Sequence, residues 1–261
     1  MRTSSILISG AVAAVAVAGA ASAAAVVVDD FTAGSFSRTS AGQGWGSNAN
    51  PSIFPLAGSN FTRSYLAGGQ SNPDDEDVNV SYSQSISSAG SGSASVSLSG
   101  SWALGDGVIN FVNLSYGVPP NNPLGAPVSS VDLTSFTAFT IFGSGTAAFS
   151  GVNQGTPGNS RRVVFQIYDT SGASFQSQIN IADGSVGNFS LDLSTVTGVN
   201  MTSVRGILVQ FSYNNRNWTG ANVQSTASLS YTITSVQLIP APGAIALLGA
   251  AGLVGSRRRR G

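Results

Sequence analysis

The sequence predicts an all-β fold, a single antiparallel β-sandwich over 24–239, on three observations. Short runs alternate apolar and polar residues with a period of two, the mark of half-buried strands. Clusters of Gly, Asn and Asp separate those runs as turn signals. No stretch of the body sustains a 3.6-residue period, and 191–201 has room for one helical turn at most. Two terminal segments stand apart: an N-terminal signal helix over 1–23 and a short C-terminal hydrophobic helix within 240–261.

Met1-Arg2 forms a short positive region, Ile6 to Gly19 an uncharged alanine-rich run, and Ala21-Ser22-Ala23 a set of small residues. This is the pattern of a secretory signal peptide, cut after Ala23 or two residues later in Ala23-Ala24-Ala25. Val78, Val80 and Tyr82 then share a strand face. After a Ser/Gly turn at 88–93, Ala94, Val96 and Leu98 continue the pattern, with Trp102 and Leu104 in phase, so the two runs read as a hairpin. Further strands are expected at 136–142, 162–168, 175–181, 189–193, 207–213 and 229–238. Turns are expected at Asp169 to Gly172, at Asp183-Gly184 and at Asn214 to Asn217. Core positions are Val163, Phe165 and Ile167, then Phe175, Ile179 and Ile181. The last run changes phase between Ile233 and Val236, which calls for a bulge.

Charge and composition exclude several chemistries. The chain has 11 arginines and 11 acidic residues, but Arg2 and Arg257 to Arg260 lie in the terminal segments. The body therefore holds six arginines against all 11 acids, mildly acidic and without lysine. Nucleic acid, which needs a basic patch, is not an expected partner. Without cysteine or histidine there is no thiol catalysis, no Ser/His/Asp triad and no common transition-metal ligand. A body of roughly 215 residues buries enough surface to dispense with disulfides. No cofactor is expected.

Three stretches of the body carry a resemblance: Val27-Val28-Asp29-Asp30-Phe31 at the start, 163–172 with its Asp169-Thr-Ser-Gly172 turn, and 230–238 at the close. Together they look like the jelly-roll sandwiches of carbohydrate-binding modules and galactose-binding-like domains. That family often has an acidic residue beside a structural calcium on its last strand; Thr232 to Ser235 supply none.

The C-terminus is more specific. Pro240-Ala241-Pro242-Gly243 precedes an apolar run to Val254, and Arg257, Arg258, Arg259 and Arg260 follow. The prolines give an extended, exposed grip for a processing enzyme. The arginines stop the tail on the cytoplasmic side. This order resembles the PEP-CTERM sorting signal of bacterial exported proteins, with Pro-Ala-Pro in place of the family's usual Pro-Glu-Pro. The resemblance implies an exosortase-type processing enzyme as partner, the export machinery, and transient membrane insertion. The other reading is a plain tail anchor, although the run falls short of the ~20 residues of a spanning helix.

Candidate sites are few. Asp74, Asp75, Glu76 and Asp77 could hold Ca²⁺ through oxygen ligands, against a solvated acidic loop. Asp29 and Asp30 point to opposite strand faces and cannot form a catalytic pair by themselves. Trp45, Trp102 and Trp218, with Tyr65, Tyr116 and Tyr213, could stack on sugars if exposed; Trp102 reads better as core. Asn214, Asn215, Arg216, Asn217 and Trp218 gather amides, a cation and a ring in one expected loop, the candidate glycan-binding loop, unless Trp218 caps the core. Asn-x-Ser/Thr triplets at Asn60, Asn79, Asn113, Asn188, Asn200 and Asn217 are those expected in so Asn- and Ser-rich a chain. The sequence thus leads to an exported, non-catalytic cell-surface or extracellular-matrix protein associated with polysaccharide. The alternative is a secreted carbohydrate-active enzyme using scattered carboxylates.

Overall fold

Each period-two run has one apolar face to bury, and two such faces bury each other. The computed structural model describes residues 25–32, 36–41, 53–55, 62–71, 80–88, 91–102, 107–117, 130–151, 160–216 and 223–241. All belong to one compact unit, Ala24–Ala241. The expected signal segment 1–23, the acidic run 74–77, Trp45, Asn217, Trp218 and the tail beyond Ala241 lie outside the described residues. Among those described, no helix is long and apolar enough to cross a membrane.

The strands are β1 Val26–Asp29, β2 Phe36–Ala41, β3 Ile53–Pro55, β4 Thr62–Ser71, β5 Val80–Ser88, β6 Gly92–Trp102 and β7 Gly107–Gly117. After them come β8 Phe136–Gly151, β9 Ser160–Asp169, β10 Ser174–Asn180, β11 Gly184–Val186, β12 Phe189–Asp192, β13 Val204–Arg216 and β14 Val223–Pro240. Two 3-10 turns, Leu193–Thr195 and Met201–Ser203, are the helical content among these residues. One sheet of eight strands runs β11-β8-β14-β6-β5-β2, with β1 beside β14 and β12 beside β8. The second, of six, runs β10-β9-β13-β7-β4-β3.

The inner faces meet in one apolar core that draws on both sheets. Phe139 of β8 meets Phe165 of β9 edge-on at 6.2 Å, and Phe211 of β13 packs against Phe189 at 6.0 Å and Tyr231 at 5.3 Å. Such offset ring pairs add about 0.5–1.5 kcal/mol each beyond area burial. Val163, Phe165 and Ile167 are fully buried, as their phase requires. Phe175 and Ile179, on edge strand β10, are only partly buried against this core. The bulge falls where the phase changes: the β14–β8 register shifts between Ile233 and Ser235. That shift lets Ile233 and Val236, of opposite parity, both be fully buried.

Strand β8 runs well past the expected 142 because β14 lies close against it. At Gly145 a Cβ would stand 2.1 Å from the Ser230 carbonyl oxygen, and at Gly143 2.3 Å from that of Thr232. Here glycine permits a backbone approach that any side chain would block. The expected turn at Asn214 to Asn217 is corrected. Asn214, Asn215 and Arg216 continue β13, paired with Ile109, Val108 and Gly107 of β7. A full-length neighbour satisfies their backbone groups and overrides the turn preference of asparagine.

The corners share one local device. Asp30, Asp132, Asp169, Asp192 and Asn200 each accept, on Oδ1, both the backbone N–H and the hydroxyl of the Ser or Thr two residues on. The short side chain mimics a turn of backbone, so Asp/Asn-x-Ser/Thr halts a strand and sets the next direction.

Candidate functional site on the outer face of the six-stranded sheet

On β9 the odd residues enter the core, so Arg162, Val164, Gln166 and Tyr168 face outward. Register carries this outward set across four strands. One row is Gln178, Val164, Gln210 and Asn113; the next is Gln176, Gln166, Leu208 and Ser115; a third is Asn180, Arg162, Ser212 and Phe111. The long polar side chains bond to one another. Gln166 donates to Gln176 at 2.7 Å and Gln210 to Asn113 at 3.0 Å. Tyr168 donates its hydroxyl to Gln166, and Arg162 donates to Gln178. The amides are thereby held in fixed orientations. Gln176 and Gln178 are exposed, Arg162, Gln166, Gln210 and Asn113 half-buried, and Val164 and Leu208 lie buried among them.

The face is also electropositive. Arg205 is the extra residue of a bulge, between Val204 opposite Asp169 and Gly206 opposite Tyr168. Burial pushes the Tyr168 phenol above its ordinary value, and the Arg205 charge beside it acts the other way. No described outward residue of β7, β9, β10 or β13 is acidic. Amides, guanidinium groups and a phenol set around two buried aliphatic side chains offer oriented hydrogen-bond donors and acceptors to a polar ligand.

Most of the described residues singled out in the sequence lie elsewhere. Tyr116 and Tyr213 are buried in the core, not exposed platforms, because their strand parity turns them inward. Trp102 ends β6, opposite Val223. Asn113 joins the amide ladder, Asn188 accepts from the Gly143 N–H, and Asn200 caps a 3-10 turn. Pro240 is the last residue of β14, and the Ala241 N–H donates to the Ser135 carbonyl at 2.9 Å. The start of the Pro-Ala-Pro stretch is thus half-buried on the sheet rather than an exposed grip.

Asp29 and Asp30 do point oppositely: Asp30 is exposed, whereas Asp29 is buried against Arg63. One guanidinium nitrogen of Arg63 reaches both oxygens of Asp29 at 3.0 Å, and the Tyr116 hydroxyl donates at 3.2 Å. Burial pushes the Asp29 carboxyl up, while the Phe31 N–H, Arg63 and Tyr116 hold it back. Tyr116, buried beside that carboxylate, is raised well above its ordinary value. The cluster ties the first strand of one sheet to β4 and β7 of the other. Asp169 receives the Asn200 N–H, the Ser171 hydroxyl and N–H, and the Ala173 N–H, which hold its carboxyl down at about 2. Asp183 pairs with Arg161, whose guanidinium also lies over the Phe149 ring. Among the described residues no acidic cluster could hold a metal ion.

Sequence reading missed the ladder for an identifiable reason. It followed the apolar phase of 162–168 into the core and did not read the polar phase, Arg-x-x-x-Gln-x-Tyr, as a surface. Asp29–Arg63, separated by 34 residues, leaves no local signal at all.

No protein-family description matches the chain, and no curated protein is similar to it. Among solved structures a partial likeness exists to an agarase, AgWH50C, at 10% identity and TM-score 0.28, over 53% of this chain and 21% of the agarase. Another is to the enzymatically active domain of tailspike protein 4 of bacteriophage CBA120, at 13% and 0.22, over 67% of this chain and 19% of that one. A third is to the C-terminal family 22 carbohydrate-binding module of Clostridium thermocellum Xyn10B, at 11% and 0.18, over 66% and 81%. The chain spans about a fifth of the agarase's length. These likenesses are remote, and the chemistry of the site rests on its own side chains.

Proposed function

We propose that this chain is an exported, non-catalytic surface or matrix protein whose jelly-roll-type sandwich binds polysaccharide through the outer face of its six-stranded sheet. The observation that carries the reading is the interlocked ladder of Gln166, Gln176, Gln178, Gln210 and Asn113 with Tyr168 and Arg162. A face whose polar groups are already oriented loses little entropy on binding. The secreted-enzyme alternative needs two convergent carboxylates about 5–10 Å apart. The described ones are each engaged in a corner or an ion pair: Asp29, Asp30, Asp132, Asp169, Asp183 and Asp192. Affinity electrophoresis of the full chain in polysaccharide gels, with a reducing-sugar assay on the same samples, tests both readings. Retardation without sugar release is expected; sugar release would replace this reading with the enzyme.

The sorting half of the proposal rests on Pro240-Ala-Pro, the apolar run and the arginine block. Because Pro240 and Ala241 are held on the sheet, removal of the tail is expected beyond Ala241. Intact mass of surface-extracted protein should show a chain without Arg257 to Arg260. Retention of those arginines at the cell surface would mean a simple anchor.

A further inference from the structure

We propose that the polysaccharide taken by this face is an anionic one, its carboxylate or sulfate groups held by Arg162 and Arg205. The inference rests on the polysaccharide reading above and narrows it. Both arginines are half-buried, and the Nε of each is buried without a hydrogen-bond partner among the described residues. A buried donor left unpaired is costly, and most so on a charged group. Arg162 spends one nitrogen on the neutral Gln178 and pairs with no carboxylate among the described residues. Arg161, one residue earlier on the opposite face, is by contrast compensated by Asp183. The neighbouring cations therefore differ: among the described residues one has a carboxylate partner, and the outward one has none.

Placement adds to this. Arg205 lies beside Tyr168, six residues along β9 from Arg162. At the rise of a strand the two cations are ~20 Å apart. Between them lies the Gln166 ladder. A chain laid along β9 would meet a cation, a row of amides and a second cation. Guanidinium forks pair with carboxylate and sulfate through two parallel hydrogen bonds, which neutral hydroxyls cannot match in charge. In a body with 11 acids to six arginines, a face with two cations and no acid among its described residues is a concentration of opposite charge.

The test measures retention of the full chain by dextran sulfate, by polygalacturonate, by uncharged dextran and by single-stranded DNA. Both anionic polysaccharides should retain the protein about tenfold more strongly than dextran, and Arg162→Gln and Arg205→Gln should each weaken that retention about tenfold. Arg161→Gln should leave it unchanged. Raising salt to about 1 M, where the screening length is ~3 Å, should abolish it. Equal retention by dextran and dextran sulfate, unaffected by the arginine variants, would overturn the anionic assignment and leave the polysaccharide reading standing. No retention by any polysaccharide would remove both. DNA held as tightly as polygalacturonate would show a general polyanion site and overturn the proposal. If a glutamine variant fails to fold, Arg162→Lys, Arg205→Lys and the salt response of the unaltered chain decide the matter, since lysine keeps the charge but loses the fork.

Discussion

On the outer face of the eight-stranded sheet, one row in register reads Ser37, Ser87, Ser93, Thr232 and Ser144, five hydroxyl residues on five strands. On the outer face of the six-stranded sheet, a row reads Gln176, Gln166, Leu208 and Ser115, with Arg162 and Tyr168 on either side. Both faces do the same structural work, closing a core from outside and meeting water. The hydroxyl face does it with short groups that satisfy one another, as Ser87 and Ser93 do at 2.7 Å. Ordering a serine costs little entropy, whereas fixing a Gln or Arg side chain costs up to about 2 kcal/mol. A sandwich that can be finished with Ser and Thr on one side has no structural need for an amide and guanidinium ladder on the other. That difference is the reason to place the proposed binding surface on the six-stranded face.

The largest way to break this comparison is to remove what both faces share. Phe165→Ala deletes a fully buried ring that meets Phe139 of the opposite sheet, and should cost about 3–5 kcal/mol. Urea unfolding would measure it, and a cost under about 1 kcal/mol would contradict the inter-sheet packing. Arg63→Met leaves Asp29 buried with the Tyr116 hydroxyl and the Phe31 N–H as its partners among the described residues, and should cost a similar ~3–5 kcal/mol. Adding Asp29→Leu should recover most of that loss, because two apolar groups can replace a buried pair. A double variant no more stable than Arg63→Met would mean the pair contributes more than mutual neutralisation.

How much of this was legible in the sequence depended on the distance over which each feature is specified. Val163-x-Phe165-x-Ile167 declares its own inward phase, and Ile233/Val236 declares its own bulge, because pleat and parity are local. The length of β13 is not local: Asn214 and Asn215 look like turn residues until β7 is alongside. The candidate site was readable in part, since Gln166 and Tyr168 stand at alternate positions, but assembling it required the registers of β10, β13 and β7. The run Asn214 to Trp218 carries amides, a cation and a ring contiguously and so reads as a site in the sequence, whereas the ladder collects amides, a cation and a ring from four strands.

At the end of β9, the Asp169 corner offers a pH test. Its folded value of about 2 lies below the ordinary 3.8, so its contribution to stability is complete above pH 3.8. That contribution fades as pH falls toward 2, where the carboxylate protonates and releases the Asn200 and Ser171 groups. Asp169→Asn should therefore melt lower than the unaltered chain at pH 7 and converge with it near pH 2. Melting curves that stay parallel over that range would remove Asp169 as the source. Gly92→Ala is a smaller steric break: its Cβ would stand 2.8 Å from the Phe31 ring, which is itself buried and held at a φ of 59°. A cost of about 1–3 kcal/mol is expected from overpacking.

The smallest structural effect carries the most functional weight. Gln176→Ala with Gln178→Ala strips the exposed edge of the amide ladder, and Ser144→Ala with Ser230→Ala strips exposed hydroxyls from the other sheet. Each change is on the surface, so both pairs should shift stability by no more than about 0.5 kcal/mol. Binding should separate them. Gln176 and Gln178 accept hydrogen bonds from Gln166 and Arg162, so their loss leaves those donors unoriented as well as removing two amides from the face. Retention in polysaccharide gels should fall for the glutamine pair and persist for the serine pair. If instead the serine pair weakens retention and the glutamine pair does not, the hydroxyl rows are the binding surface. The ladder would then serve only to order its own sheet.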